Sequence, residues 1–141
     1  MSELQGIVRF RFHEGAVEEF KRLSARAMEI VRTQDTGTLQ YETYFNADES
    51  EALVLERFRD SDALIEHGNH MAPLMDAIIA TATVTGELCG ELSPELRARI
   101  TGDNPQLFMP YMSSKQFAGR RSRVARIRRL AATPHVPPPT P

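Results

Sequence analysis

From Leu4 to Phe12 polar and apolar residues alternate, with Val8, Phe10 and Phe12 on one side and Arg9 and Arg11 on the other. That two-residue period predicts a strand. The period then changes. Over Glu14–Gln34, Val17, Phe20, Ser24, Ala27 and Val31, with Leu23 and Ile30 beside them, make one helical stripe. Glu14, Glu18 and Glu19 lie near its start, where the helix dipole favours acids. Asp35-Thr36-Gly37 ends it, with Gly37 as the expected left-handed residue. Thr38–Asn46 is rich in β-formers and Ala52–Arg59 follows the polar turn Ala47-Asp48-Glu49-Ser50, so the two predict a hairpin.

Asp60-Ser61 can cap a second helix, whose inner stripe is Leu64, His67, Met71, Leu74 or Met75, and Ile78. Pro73 falls inside this pattern, just after Gly68-Asn69, and predicts a kink or a restart. Thr81–Leu92 is a fourth strand, with Val84 and Leu88 on one face and Cys89 on the other. Ser93-Pro94-Glu95 supplies a cap, a first-turn proline and an acid for a short helix that Gly102 closes. Gln106–Met112 predicts a fifth strand, confined to a sheet edge by Pro110.

The order βαββαβ, plus a small helix and a last strand, predicts an α+β, ferredoxin-like split βαβ fold. Helices would cover one sheet face. Leu53, Leu55 and Ile7, or their opposite-parity neighbours, would then leave the other face apolar, and a homodimer packed sheet to sheet is the simple way to bury it. The 141 residues suffice for one domain with its own core. Cys89 is the one cysteine, which excludes an intrachain disulfide scaffold or a cysteine zinc cluster and favours a reducing compartment. The chain starts without a basic-then-apolar leader and has no apolar run of membrane-spanning length, so a cytoplasmic protein with no membrane contact is expected.

The net charge of −2 hides a division. Residues 1–118 hold 11 basic and 19 acidic side chains; residues 119–141 hold six arginines and no acid. Five of the last eight residues are proline. A domain over 1–117 and a basic, Pro-rich tail over 118–141 are expected. The tail reads as an electrostatic handle or as a solvated arm. Its arginine run lacks aromatic residues for base stacking, so nucleic acid is an unlikely partner.

Leu39-Gln40-Tyr41-Glu42-Thr43-Tyr44, Val54-Leu55-Glu56-Arg57-Phe58-Arg59-Asp60 and Ala63-Leu64-Ile65-Glu66-His67 together resemble the antibiotic biosynthesis monooxygenase family, the quinol-monooxygenase-like branch of the dimeric α+β barrels. Gly90–Arg97 looks like its extended members, and the resemblance covers about residues 4–117. It places a family tyrosine at Tyr41, a glutamate at Glu56, an aromatic at Phe58 where tryptophan is common, and a histidine at His67. It implies oxidation of a phenolic or hydroquinone-type aromatic by molecular oxygen, with no metal, flavin or other cofactor, the substrate supplying the electrons. Such chemistry needs a dry pocket, a base for the phenol proton and a donor for the oxygen anion. The haem-degrading relatives resemble one another in an Asn, Trp and His set, and this chain has no Trp.

His67 is therefore the first candidate base, or else a core histidine bonded to a backbone carbonyl. His67 and His70 stand three residues apart and could share a helical face, but no Asp, Glu or Cys at matching spacing completes a metal site, and a helix break at Asn69 would part them. Glu56 shares parity with Val54 and Phe58, so it is either a buried acid able to act as base or the partner of an arginine. Tyr41 and Tyr44 have opposite parity, so only one can face a given pocket. Tyr41 joins His67 and Glu56 as the catalytic set. Phe58, Asn69, His70, Phe108 and Tyr111 are the expected substrate contacts. The rival functions are a non-oxidative isomerase, cyclase or decarboxylase on the same fold, and a non-catalytic binding dimer.

Overall fold

The computed structural model describes residues 2–115. Its elements are β1 (Leu4–Phe12), α1 (Val17–Thr33), β2 (Thr38–Phe45), β3 (Glu51–Phe58), α2 (Ser61–Ile79), β4 (Ala82–Cys89), α3 (Pro94–Arg99) and β5 (Gln106–Phe108). The order and type are those the sequence predicts. By its internal contacts the chain divides into a unit over 1–109 and a second over 110–141. The basic stretch from Arg120 and the expected boundary at 117 lie outside the described residues.

The sheet runs β2-β3-β1-β4-β5. The first four strands pair antiparallel in the ferredoxin-like order, and β5 joins β4 in parallel. Register sorts the side chains. Leu4, Gly6, Val8 and Phe10 stand opposite Phe58, Glu56, Val54 and Ala52 on β3, and Tyr41 stands opposite Glu56 on the other side of that strand. All of these face the helices. The core has two parts: one around Phe10, Phe20, Leu23, Val54, Met71 and Leu74, the other around Leu4, Phe58, Ala63, Leu88 and Leu96. The opposite sheet face carries Ile7, Leu53 and Leu55, half-buried, among Arg9, Arg11, Glu42, Glu51 and Glu87.

Three local expectations change. Gly37 does not have positive φ; Gly15, Gly90 and Gly102 do. Gly37 is needed for space instead, because a Cβ there would lie 2.5 Å from Ala63 Cβ, where the α1–β2 connection crosses α2. The helix α2 runs unbroken through Pro73. Pro73 and its neighbour Ala72 lie on the exposed side while Met71 and Leu74 anchor the buried one, so burial of the inner stripe outweighs one missing hydrogen bond. The fifth strand is an edge strand but stops at Phe108, two residues short of Pro110.

Candidate active site

Asp60 starts α2: its carboxylate accepts from Ala63 N at 2.9 Å. Since the helix continues past Asn69, His67 and His70 stay one turn apart on one face. Both rings meet Asp35, in the connection between α1 and β2. Asp35 Oδ2 accepts from His67 Nδ1 at 2.7 Å and from Thr38 Oγ1 at 2.7 Å; its Oδ1 accepts from His70 Nδ1 at 2.7 Å. The Asp35 side chain is 2% exposed, His67 8% and His70 26%. Burial pushes the Asp35 carboxyl upward, but the hydrogen bonds from His70, His67 and Thr38 outweigh it and hold the group below the usual carboxylate range. An ionised Asp35 accepts, so both histidines donate through Nδ1. A neutral His67 then carries its lone pair on Nε2.

Around His67 lie the groups that the resemblance selects. Tyr41 and Phe58 pack against its ring at centroid distances of 5.4 and 5.2 Å, tilted by 51° and 49°. Phe58 is fully buried and belongs to one core cluster, while Tyr41 packs on the other, so His67 sits where the two meet. Glu56, the cross-strand neighbour of Tyr41, has no hydrogen-bond partner among the described residues. Its side chain lies over Gly6, where a Cβ would come within 2.9 Å of Oε2; glycine there keeps room for the carboxylate. Burial pushes the Glu56 carboxyl up, the His67 ring opposes this, and the Asp35 charge adds to it. Burial, then the charges of Glu56 and Asp35, raise the Tyr41 hydroxyl in the same way. Both residues keep part of their surface accessible. A histidine, a carboxyl group that favours its proton, and a phenol thus converge on one spot.

Two of the remaining expected contacts, Asn69 and Phe108, do not join this group. Asn69 is exposed on α2, two residues from His67 and so on a different face. Phe108 is 43% exposed on β5, the edge opposite β2. Tyr111 is 69% exposed in the second unit. Tyr44 points outward and donates to Glu42 at 2.6 Å. Glu56 makes no ion pair among the described residues, since its strand parity turns it toward the helices and away from every arginine of β1 and β3. His67 bonds a carboxylate, not a backbone carbonyl. The sequence reading missed Asp35 and Thr38. Read locally, Asp35 belongs to the end of a helix; the clue to its role is an acid beside that end in a chain with two histidines on one helical face.

Among the described residues no three His, Cys, Asp or Glu side chains are grouped to hold a metal ion. Two surface cavities, of about 290 and 480 Å³, open elsewhere: one beside Arg9, Glu87 and Asn104, the other beside Asp62, Glu91 and Arg97. Neither is lined by His67, Tyr41 or Glu56.

The fold and site define a class: a small ferredoxin-like α+β domain with a carboxylate-held histidine between helix and sheet. Comparison narrows the class. The family model for antibiotic biosynthesis monooxygenase matches residues 6–78, and the chain belongs to that family. No curated protein matches the chain. Among solved structures, Rv0793 from Mycobacterium tuberculosis is 25% identical, with 65% of this chain and 97% of that one covered and a TM-score of 0.58. MupZ from Pseudomonas fluorescens shares 22% identity over 81% of this chain and 89% of its own, with a TM-score of 0.68. A mutant of SnoaB, a cofactor-independent oxygenase from Streptomyces nogalater, shares 20% over 62% and 91%, with a TM-score of 0.55. Family membership carries a general monooxygenase role.

Proposed function

We propose that the chain is a cofactor-independent monooxygenase of a phenolic or hydroquinone-type aromatic, acting with molecular oxygen as a cytoplasmic homodimer packed sheet to sheet. One observation carries the catalytic assignment: Asp35 holds His67 through Nδ1, which leaves Nε2 as the basic atom between Tyr41 and Phe58. Nε2 takes the phenol proton, and the Asp35 charge stabilises the imidazolium. The electron-rich phenolate reduces oxygen, and a bond forms from oxygen to a hydrogen-bearing ring carbon, para to the phenolate in a phenol and ortho to it in a hydroquinone. That carbon loses its proton as the O–O bond breaks. One oxygen atom stays as the new carbonyl and the other leaves as water, so phenol and oxygen give quinone and water. Glu56, favouring its protonated form, donates toward the peroxide oxygen. Phe58 and Tyr41 flank the ring and exclude water.

The test is oxygen uptake by the metal-free, chelated protein against a panel of phenols and hydroquinones. Uptake of one oxygen per quinone formed is expected, falling at least about a hundredfold in His67→Ala. Activity that needs added flavin or metal overturns the mechanism. The same base serves proton transfer without oxygen, and turnover that continues under nitrogen assigns the chain to the isomerase, cyclase or decarboxylase chemistry.

A further inference from the structure

The carboxylate that holds His67 is shared with a second histidine for which the chemistry above has no use. We propose that His70 is a positioning residue, anchoring Asp35 through Oδ1 so that Oδ2 is presented to His67. The assignment rests on the reading of His67 as the base and adds to it a residue that touches no substrate.

The geometry divides Asp35 cleanly. Oδ2 serves His67 and Thr38, and Oδ1 serves His70 alone. A carboxylate turns easily about its last side-chain bond, whose rotamer well is broad. Thr38 and His67 pull on one oxygen only, so neither fixes the rotation by itself. His70, bonded to the other oxygen, completes a three-point hold. Its spacing of three residues from His67 on an unbroken helix makes both contacts possible at once.

The arrangement has an electrostatic consequence. Two imidazole N–H groups divide one negative charge, and His70 is the more solvent-accessible of the two, at 26% against 8%. The other ionisable groups facing this cluster are Tyr41 from β2 and Glu56 from β3; on α2 itself, Glu66 is occupied by Thr36 Oγ1 at 2.7 Å. Arg59, after β3, is paired with Asp60 at 3.3 Å. His70 is thus the donor that holds Oδ1. Without it Asp35 is free to turn about its last side-chain bond, Oδ2 is no longer held toward His67 Nδ1–H, and the carboxylate supports an imidazolium there less well.

The experiment follows the His67 ring resonances by NMR as the free, full-length protein is titrated, with His70→Ala and His70→Asn alongside. The asparagine amide can donate to Oδ1 but does not titrate. His70→Ala is expected to move the His67 midpoint down by about 0.5–1 pH unit, a threefold to tenfold loss in proton affinity. His70→Asn is expected to restore most of the difference. If His70→Ala does not fold, His70→Ser, too short to reach Oδ1, replaces it. A midpoint that stays put or rises in the folded alanine or serine variant overturns the proposal. So does an equal downward shift in the asparagine variant, since a donor returned to Oδ1 would then restore nothing. No substrate or turnover is involved, so the result stands apart from the outcome of the oxygen-uptake test.

Discussion

Asp35 and Glu56 lie close to the same histidine, and burial pushes both carboxyls up, but they end on opposite sides of the usual range. Asp35 receives three hydrogen bonds and is held below that range; Glu56 receives none among the described residues and is pushed above it. The signs follow by linkage. A depressed carboxyl contributes stability that is fully present above the unfolded value near pH ~4 and is lost as pH falls through the lower native value. Asp35→Asn should therefore cost about 1–3 kcal/mol at pH 7, and denaturant unfolding should show the gap to the parent shrinking as the pH drops below about 4. A deficit that does not shrink in acid would contradict this. For Glu56 the sign reverses: the native state loses stability as pH rises from the unfolded value toward the raised native one. Glu56→Gln should be the more stable protein at pH 8, by about 1 kcal/mol or more, while losing activity. If it melts below the parent at pH 8, Glu56 is not under the burial penalty described.

At the scale of elements, the connection between α1 and β2 controls the site, because it carries Asp35 and crosses α2 at Gly37. Gly37→Ala would force its Cβ against Ala63 Cβ. A loss of about 1–3 kcal/mol is expected, the usual range for overpacking, together with reduced turnover as Asp35 shifts. Calorimetry and oxygen uptake on the same variant check both. The helix α2 makes the complementary point. Pro73 lacks the N–H that would bond Asn69 C=O, yet the helix continues. Pro73→Ala should raise the melting temperature, since the exposed position has room and gains a hydrogen bond. A lower melting temperature would mean that the proline fixes a shape the site needs.

For the whole molecule, the sheet face away from the helices matters most. Ile7, Leu53 and Leu55 form its apolar centre, with charged residues around them. Sedimentation equilibrium of the full chain at micromolar concentration should give a dimer, and Leu55→Glu should give a folded monomer, since it puts a charge at the middle of the buried face. A monomeric parent protein would remove the dimer from the proposed function.

Much of this was written locally along the chain. Period, β-former content and cap signals together named all eight elements, and Asp60 and Ser93 marked two helix starts whose caps the structure contains. Strand parity alone put Glu56 and Phe58 on one side of β3, because a strand admits only two faces; Tyr41 joined them through the pairing of β2 with β3. The sequence left three matters to tertiary structure. Whether a helix survives a proline depends on what its other side buries. Whether Glu56 meets an arginine depends on strand pairing across the sheet, which placed it over Gly6. Asp35, 32 positions before His67, became its partner only when the loop after α1 came down on α2. Periodicity is a property of neighbours in the chain, whereas a hydrogen bond between distant residues exists only after the core has packed.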